Sequence, residues 1–286
     1  MIRTLPSSKS YKIGYSIFIA IFYLFLFAPL IVTCVLAFNN SNFPALPWKG
    51  FTLDWFFANT SQRVGVFQDS GLLRSIYISF VTGLYVSIFS LIVGTMGAFL
   101  FVQEKFKFKE PLYFLALTPL VIPGVILGIS LLLSSTIAGN YLDDHFSINL
   151  SFLGPSFWLV VLGQFSFITT FVVLVVSARL KKFDHTLEEA ALNLGGNRFD
   201  VIRLITLPYL KPALIGSFIV SFLMSFGNFN TTLFLVGSDT TLPIDLYSRI
   251  RDGSTPVLNA VSFLLIFVTS LLAVFNLIYS NSKNNK

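Results

Sequence analysis

The property that most constrains this chain is the length of its apolar runs. Residues 13–38, 72–102, 112–137, 154–178, 213–236 and 256–279 are each almost free of charge. About 20 apolar residues cross the hydrocarbon of a bilayer as a helix, and a backbone in lipid must satisfy its own hydrogen bonds. With 55% hydrophobic and only 11% charged residues, the chain falls well below the roughly one quarter of charged residues usual in soluble domains. The expectation is an all-α polytopic membrane protein with six transmembrane helices. Residues 1–12 are expected to form a cytoplasmic segment, 13–280 one transmembrane domain and 281–286 a cytoplasmic tail, the polar ends being mobile.

The remaining charge reports orientation. Of the 19 Lys and Arg, only Lys49, Arg63, Arg74, Arg249 and Arg251 lie on one side of the six runs. The other fourteen fall at the N-terminus, in 103–111, in 179–212 and after residue 279, which places both termini in the cytoplasm of an inner (plasma) membrane. Basic residues this dispersed do not make a nucleic-acid surface, despite a net charge of +6. The first run is too long for a cleaved signal and reads as a retained helix. Cys34, inside that run, has no second cysteine to pair with.

Two runs carry unusual residues. Pro119, Pro123 and Gly124 should kink or unwind the third, and a broken helix often borders a pathway. The fifth contains Asn228, Asn230, Thr231 and Thr232, with Gln164 of the fourth facing them. These polar side chains either line a solute pathway or hydrogen-bond between helices. On the exterior, 51–58 reads as a short interfacial helix with aromatic anchors. Asp143-Asp144-His145 reads as an acidic loop, and Asp252-Gly253 suits a turn. Asp245, Tyr247, Arg249, Arg251 and Asp252 stand outside, where an incoming solute would meet them.

The largest cytoplasmic loop, 179–212, reads as two short amphipathic helices. Asp184 caps the first, whose Leu187, Ala190, Ala191 and Leu194 share a face. Gly195 and Gly196 break it. Asn197, with Asp200 three residues on, begins a second helix with an apolar face of Phe199, Ile202 and Ile205, ended by Pro208. Periodicity leaves open whether these faces fold back on the bundle or dock a partner. The spacing of Glu189-Ala190-Ala191, Gly195, Ile205 and Leu207-Pro208 resembles the EAA loop of permease subunits in ATP-binding-cassette (ABC) importers.

That resemblance implies a type I ABC importer permease fold, with the loop as a coupling helix seated on an ATPase. Glu189 would pair with a basic residue or cap a neighbouring helix, Gly195 would allow the turn, and Pro208 would fix the exit to the fifth span. Phe38-Asn39-Asn40-Ser41, Gly50-Phe51-Thr52, Trp55, Pro243-Ile244-Asp245-Leu246-Tyr247 and residues 256–260 extend the likeness to the C-type subunit of the spermidine/putrescine permease family. The partners so implied are a second permease subunit, two ABC ATPase subunits, a periplasmic binding protein and a small solute. ATP and magnesium would bind on the ATPase. The chain has neither GxxxxGK[ST] nor an LSGGQ-like run, no hydrolase elbow, and no metal-ligand spacing around His145 or His185, so it is expected to be neither an enzyme nor a cofactor carrier.

The sequence departs from the polyamine permeases at Gly227-Asn228, where they carry adjacent acidic residues. A carboxylate at mid-membrane costs about 2.5–3.5 kcal/mol and is retained only for a gain such as pairing with an amine. Import of another small solute (an aminophosphonate, an iron complex, an opine-like compound) therefore stands as the alternative. An ion-gradient secondary transporter, or a structural subunit that merely binds an ATPase, stands outside that class.

Overall fold

The computed structural model describes residues 9–61, 63–148, 150–253 and 255–284. Of the polar ends expected to be mobile, 1–8 and 285–286 lie outside the described residues, while 9–12 and 281–284 are helical, as the start of α1 and the end of α11. Among those described the chain is helical, with two isolated antiparallel bridges, Asn39 to Phe51 and Asn59 to Val64. The helices are α1 (Lys9–Leu36), α2 (Asp54–Phe57), α3 (Ser70–Gln103), α4 (Lys109–Val121), α5 (Gly124–Phe146), α6 (Phe157–Leu180), α7 (Thr186–Asn193), α8 (Arg198–Val201), α9 (Leu207–Phe226), α10 (Leu242–Gly253) and α11 (Val257–Asn284). Five helical stretches are long and apolar enough to cross a membrane: Lys9–Leu36, Ser70–Gln103, Gly124–Phe146, Phe157–Leu180 and Arg198–Phe226. Val257–Leu271 is a shorter apolar stretch.

One compact unit joins the residues up to Leu73 with those from Ser248 onward. Here α1 pairs with α11. The α1 side chains are otherwise exposed, Phe25 at 80%, as suits a helix whose neighbour is lipid or another chain. The segment after α1 folds on an aromatic cluster. Phe38 stacks on Phe51 at 5.4 Å and meets Phe263 edge-on at 4.9 Å, while Trp55 Nε1 donates to the Asn39 carbonyl at 2.8 Å. The helix expected at 51–58 is shorter than that: only Asp54–Phe57 is helical, and Trp55 and Phe56 are buried, the Phe56 ring 5.2 Å from Phe38 and 5.9 Å from Phe263 and the Trp55 ring beneath Arg63 at 5.0 Å. Asp69 caps α3, accepting from the Leu72 amide at 2.9 Å and holding Arg249 through two bonds of 2.5 and 3.1 Å.

The second unit, Arg74–Tyr247, is built round α6, the most buried of the spans, with α4, α5 and α9 packed against it. Since lipid is as apolar as Leu, close fit and internal polar bonds hold such a bundle together more than exclusion of water does. Small buried residues serve that fit on α3 (Ser75, Ser79, Thr82, Ser87, Ser90) and on α9 (Ser217, Ser221, Ser225). Toward the C-terminal ends of α3 and α6, Ala98, Val172, Val176, Leu180, Phe183 and Leu210 form one core that unites α3, α6 and α9.

Two expected spans are broken. The third divides at Ile122-Pro123 into α4 and α5, because Pro123 has no amide to continue the ladder and forces its predecessor out of helical geometry, Ile122 having ψ 130°. The fifth begins earlier than expected and ends at Phe226, after which 227–231 is not helical. The Asn228 side chain there accepts from the Thr231 amide at 3.2 Å and the Thr232 hydroxyl at 3.1 Å, replacing helix bonds with local ones. Asp143, Asp144 and His145 are no loop but the end of α5, where His145 stacks on Tyr141 at 4.2 Å. Asp252 and Gly253 end a helix, α10, where a turn was expected.

Candidate functional site

The hairpin between α6 and α9 forms from local chemistry that can be followed residue by residue. The Asp184 carboxylate accepts from the Thr186 amide at 3.1 Å and its hydroxyl at 2.8 Å, and these bonds hold its pKa below the usual carboxylate value. They also organise the first turn of α7. At the other end, the Gly195 amide bonds to the Leu192 carbonyl at 3.0 Å and the Gly196 amide to that of Ala191 at 3.1 Å. This is a Schellman cap, and it requires the left-handed backbone that Gly195 supplies at φ 90°. Asn197 follows at once as the next cap, accepting from the Asp200 amide at 2.9 Å. Two helix starts and one stop thus lie within fourteen residues, and they fold the loop back on itself.

What the hairpin presents is apolar. Leu194 is 89% exposed, Leu204 69% and Phe199 68%, and α7 buries none of its side chains. Glu189 and Ala190 are exposed, Ala191 and Ile205 half-buried. Ile205 packs on the inner core, beside Tyr209. Leu207 lines an apolar groove of about 530 Å³ with Leu91, Met96, Phe99, Ile202 and Leu214. Arg179 lies over the Tyr209 ring at 4.2 Å, and Phe183 meets that ring at 5.0 Å.

One expectation for this loop needs correction. Pro208 does not end the second helix: Arg198–Phe226 is one helical run, interrupted by a π-helical turn at Ile202–Thr206. The wider turn opens the ladder just ahead of a residue that lacks an amide and whose ring excludes the carbonyl four residues back. The loop therefore passes into the fifth span without a corner. Beside the exposed Glu189, the neighbouring Glu188 is held by partners inside the protein. Glu188 Oε1 accepts from Thr206 Oγ1 at 2.7 Å and from Gln103 Nε2 at 3.4 Å, and its Oε2 meets His185 Nδ1 at 3.1 Å. The spacing of His185 and Glu188 was visible in the sequence as an i, i+3 pair; the partners at 103 and 206 were not.

Within the membrane part, the two helix breaks meet. A Cβ placed on Gly128 would lie 2.6 Å from the Thr231 carbonyl oxygen, so only glycine lets α5 approach the 227–231 backbone this closely. Gln164 is buried and donates from Nε2 to Thr232 Oγ1 at 2.8 Å, while Ser225 Oγ donates to its Oε1. Asn228, Thr232, Gln164 and Ser225 form one continuous network from the break to α6. Thr231 is buried, Asn228 half-buried and Asn230 exposed. The structure thus brings Gln164, Asn228 and Thr232 together, and among the polar residues of this break it leaves Asn230 the most open.

Near the start of α3, Arg74 pairs with Asp239 at 2.5 Å, and Ser79 accepts from the Leu242 amide at 2.7 Å, tying α3 to the start of α10. Tyr247 of α10 is 44% exposed and packs on Phe229 at 5.0 Å, while Asp245 is half-buried. Arg249 is committed to Asp69 and Arg251 to Asp252. Among the described residues, no three His, Cys, Asp or Glu gather as metal ligands would.

Comparison with known proteins gives these features a context. Residues 90–283 match the family described as "Binding-protein-dependent transport system inner membrane component". The chain is similar to the spermidine/putrescine transport system permease protein PotC of Escherichia coli, 26% identical over 267 residues and covering 93% of each chain. It is similar also to the putrescine transport system permease protein PotI of the same organism, 28% identical over 247 residues, 85% of this chain and 82% of that one. A bacterial ABC transporter involved in the import of the acidic polysaccharide alginate superposes with a TM-score of 0.74 over 97% of this chain and 98% of its own; at 19% identity this establishes a common fold.

Proposed function

The chain belongs to the family of inner-membrane components of binding-protein-dependent transport systems, and from that premise we propose that it is a permease subunit of an ATP-driven importer of polyamines. The observation that carries the proposal is the hairpin. A capped, glycine-turned pair of helices exposes Leu194, Phe199 and Leu204, a patch fitted to a cleft in another protein rather than to water. Its polar companion Glu189 is exposed and available to a basic residue of that cleft. The partner is an ABC ATPase pair that holds ATP and magnesium, and a second permease subunit completes the pathway. The distribution of Lys and Arg supports a cytoplasmic position for the hairpin and both termini.

Closure of the ATPases on ATP would move the hairpin, and with it the inner ends of the spans that share the core around Leu180 and Leu210. Transport is then a change between two packed arrangements, with solute received from a binding protein on the outer side. Similarity to PotC and PotI supports an amine as solute. Asn230 and Tyr247 meet it as an amide oxygen and an aromatic face, either of which suits an ammonium. Reconstituted with its partners, the protein should import putrescine only when ATP binds; import persisting with ATP binding blocked would refute the reading.

One observation favours a second solute class. Every polar side chain placed at the break, Ser225, Asn228, Asn230, Thr231 and Thr232, is neutral, which also suits an uncharged or zwitterionic solute. Calorimetry of the cognate binding protein over a panel of amines and zwitterions separates the two.

A further inference from the structure

We propose that Glu188 is the positioning residue through which movement of the hairpin enters the membrane, by tying α7 to the π-helical base of α9 and to the inner end of α3. The inference rests on the importer reading above and deepens it. α7 buries no side chain of its own, so packing alone gives it a weak grip on the bundle. Its polar grip is concentrated in one carboxylate. Oε1 takes Thr206 at 2.7 Å and Gln103 at 3.4 Å, residues of two different spanning runs, and Oε2 takes His185 at 3.1 Å. Thr206 is fully buried and is the last residue of the π turn, immediately ahead of α9. From there α9 runs 20 residues to Phe226, about 30 Å at 1.5 Å per residue, and ends at the 227–231 break. A pull on Glu188 therefore reaches the break along a continuous helix.

The residue type fits the task. A carboxylate is an acceptor with about four lone-pair sites, so one side chain can collect hydroxyl, amide and imidazole donors from three elements. Glutamine keeps an acceptor oxygen for Thr206 and Gln103 and loses only the His185 link. Aspartate is one methylene too short to reach Thr206. Residue type thus separates a fastener from a general surface charge.

The test uses the complete complex in proteoliposomes with putrescine as the probe solute. Glu188→Ala, Glu188→Asp and Thr206→Val should assemble and hydrolyse ATP while putrescine imported per ATP falls on the order of tenfold, within the usual span of inter-site coupling. Glu188→Ala combined with Thr206→Val should be no worse than either alone, as for two ends of one contact. Glu188→Gln and Thr206→Ser should stay within about twofold of the wild-type ratio, since each keeps the link. Additive single effects, a wild-type ratio in Glu188→Ala, or loss of assembly with Glu188→Ala while Thr206→Val behaves as wild type would each overturn the proposal. Hydrogen exchange needs no solute: ATP should alter protection at 227–231 in the wild type and not in Glu188→Ala or Thr206→Val, and an unchanged response in these variants would also overturn it. A wild-type complex that responds to ATP by exchange yet imports no putrescine would instead refute the amine reading and leave the fastener standing.

Discussion

Gln164 uses both ends of its amide inside the protein, donating to Thr232 and accepting from Ser225, so its loss is felt by two buried hydroxyls at once. Gln164→Leu should destabilise the purified protein by about 1–2 kcal/mol, the cost of leaving buried polar groups unpaired in a bundle where alternative partners are few, read as a lower Tm in detergent. Asn230→Ala should leave Tm unchanged, because that side chain is exposed, and should lower solute uptake. Gly128→Ala belongs with Gln164→Leu: its methyl would stand 2.6 Å from the Thr231 carbonyl, so the break must shift to admit it. The sequence identified these polar residues as a group, since amides and hydroxyls in apolar runs are conspicuous. It did not sort the internal from the open, because that depends on where the helix stops. Glu188 escaped for a related reason: its partners lie 85 and 18 residues away, and nothing in local spacing reports a long-range hydrogen bond.

Elements whose ends are written in short-range chemistry were legible. The two glycines and Asn197 of the hairpin could be read directly, and the Schellman cap shows why Gly195 specifically is needed. Gly195→Val places a β-branched residue at φ 90°, at a cost of about 1–2 kcal/mol or more. It should weaken association with the ATPase, measured by co-purification, while the chain still inserts in the membrane. Asn197→Ala removes one cap and should cost about 1 kcal/mol, with a smaller effect in the same assay. Less legible were elements decided by long-range fit. α10 went unanticipated because its run, Leu242–Gly253, mixes Pro243 and Gly253 with charges; it is held by bonds from α3 to the segment that starts it. The start of α3 offers a pH test. Burial would raise the Asp69 pKa, but hydrogen bonds from Arg249 and the Leu72 amide, with the Arg249 charge, outweigh it and leave the value lowered. A depressed carboxylate pKa adds stability that is fully present above the unfolded value near 3.9 and is lost as pH falls through the folded value. Arg249→Met should therefore lower Tm at pH 7 and flatten the acid limb below about pH 4, seen by thermal melts from pH 7 to 3.

At the scale of the whole chain, apolar run length decided the class of protein before any motif was considered, because lipid leaves a backbone few alternatives. Run length could not place the breaks: Pro123 and Gly227 lie inside stretches that hydropathy scores as continuous. Orientation rests on the positions of Lys and Arg, and it carries a test independent of ATP or solute. With Cys34 replaced by serine, a cysteine introduced at exposed Leu194 should react with a membrane-impermeant maleimide only in inside-out vesicles, and one at Lys49 only in right-side-out vesicles. The pair matters more than either site alone. Reaction of both from one side would mean an even number of spans between them, against the three, 72–102, 112–137 and 154–178, that the charge pattern requires. Opposite reactivity fixes the hairpin on the ATP side, the only side on which Leu194, Phe199 and Leu204 can meet an ATPase. The reversed pattern, Leu194 reacting from outside, would remove the partner from reach and the ATP-driven reading with it, whatever the likeness of the fold.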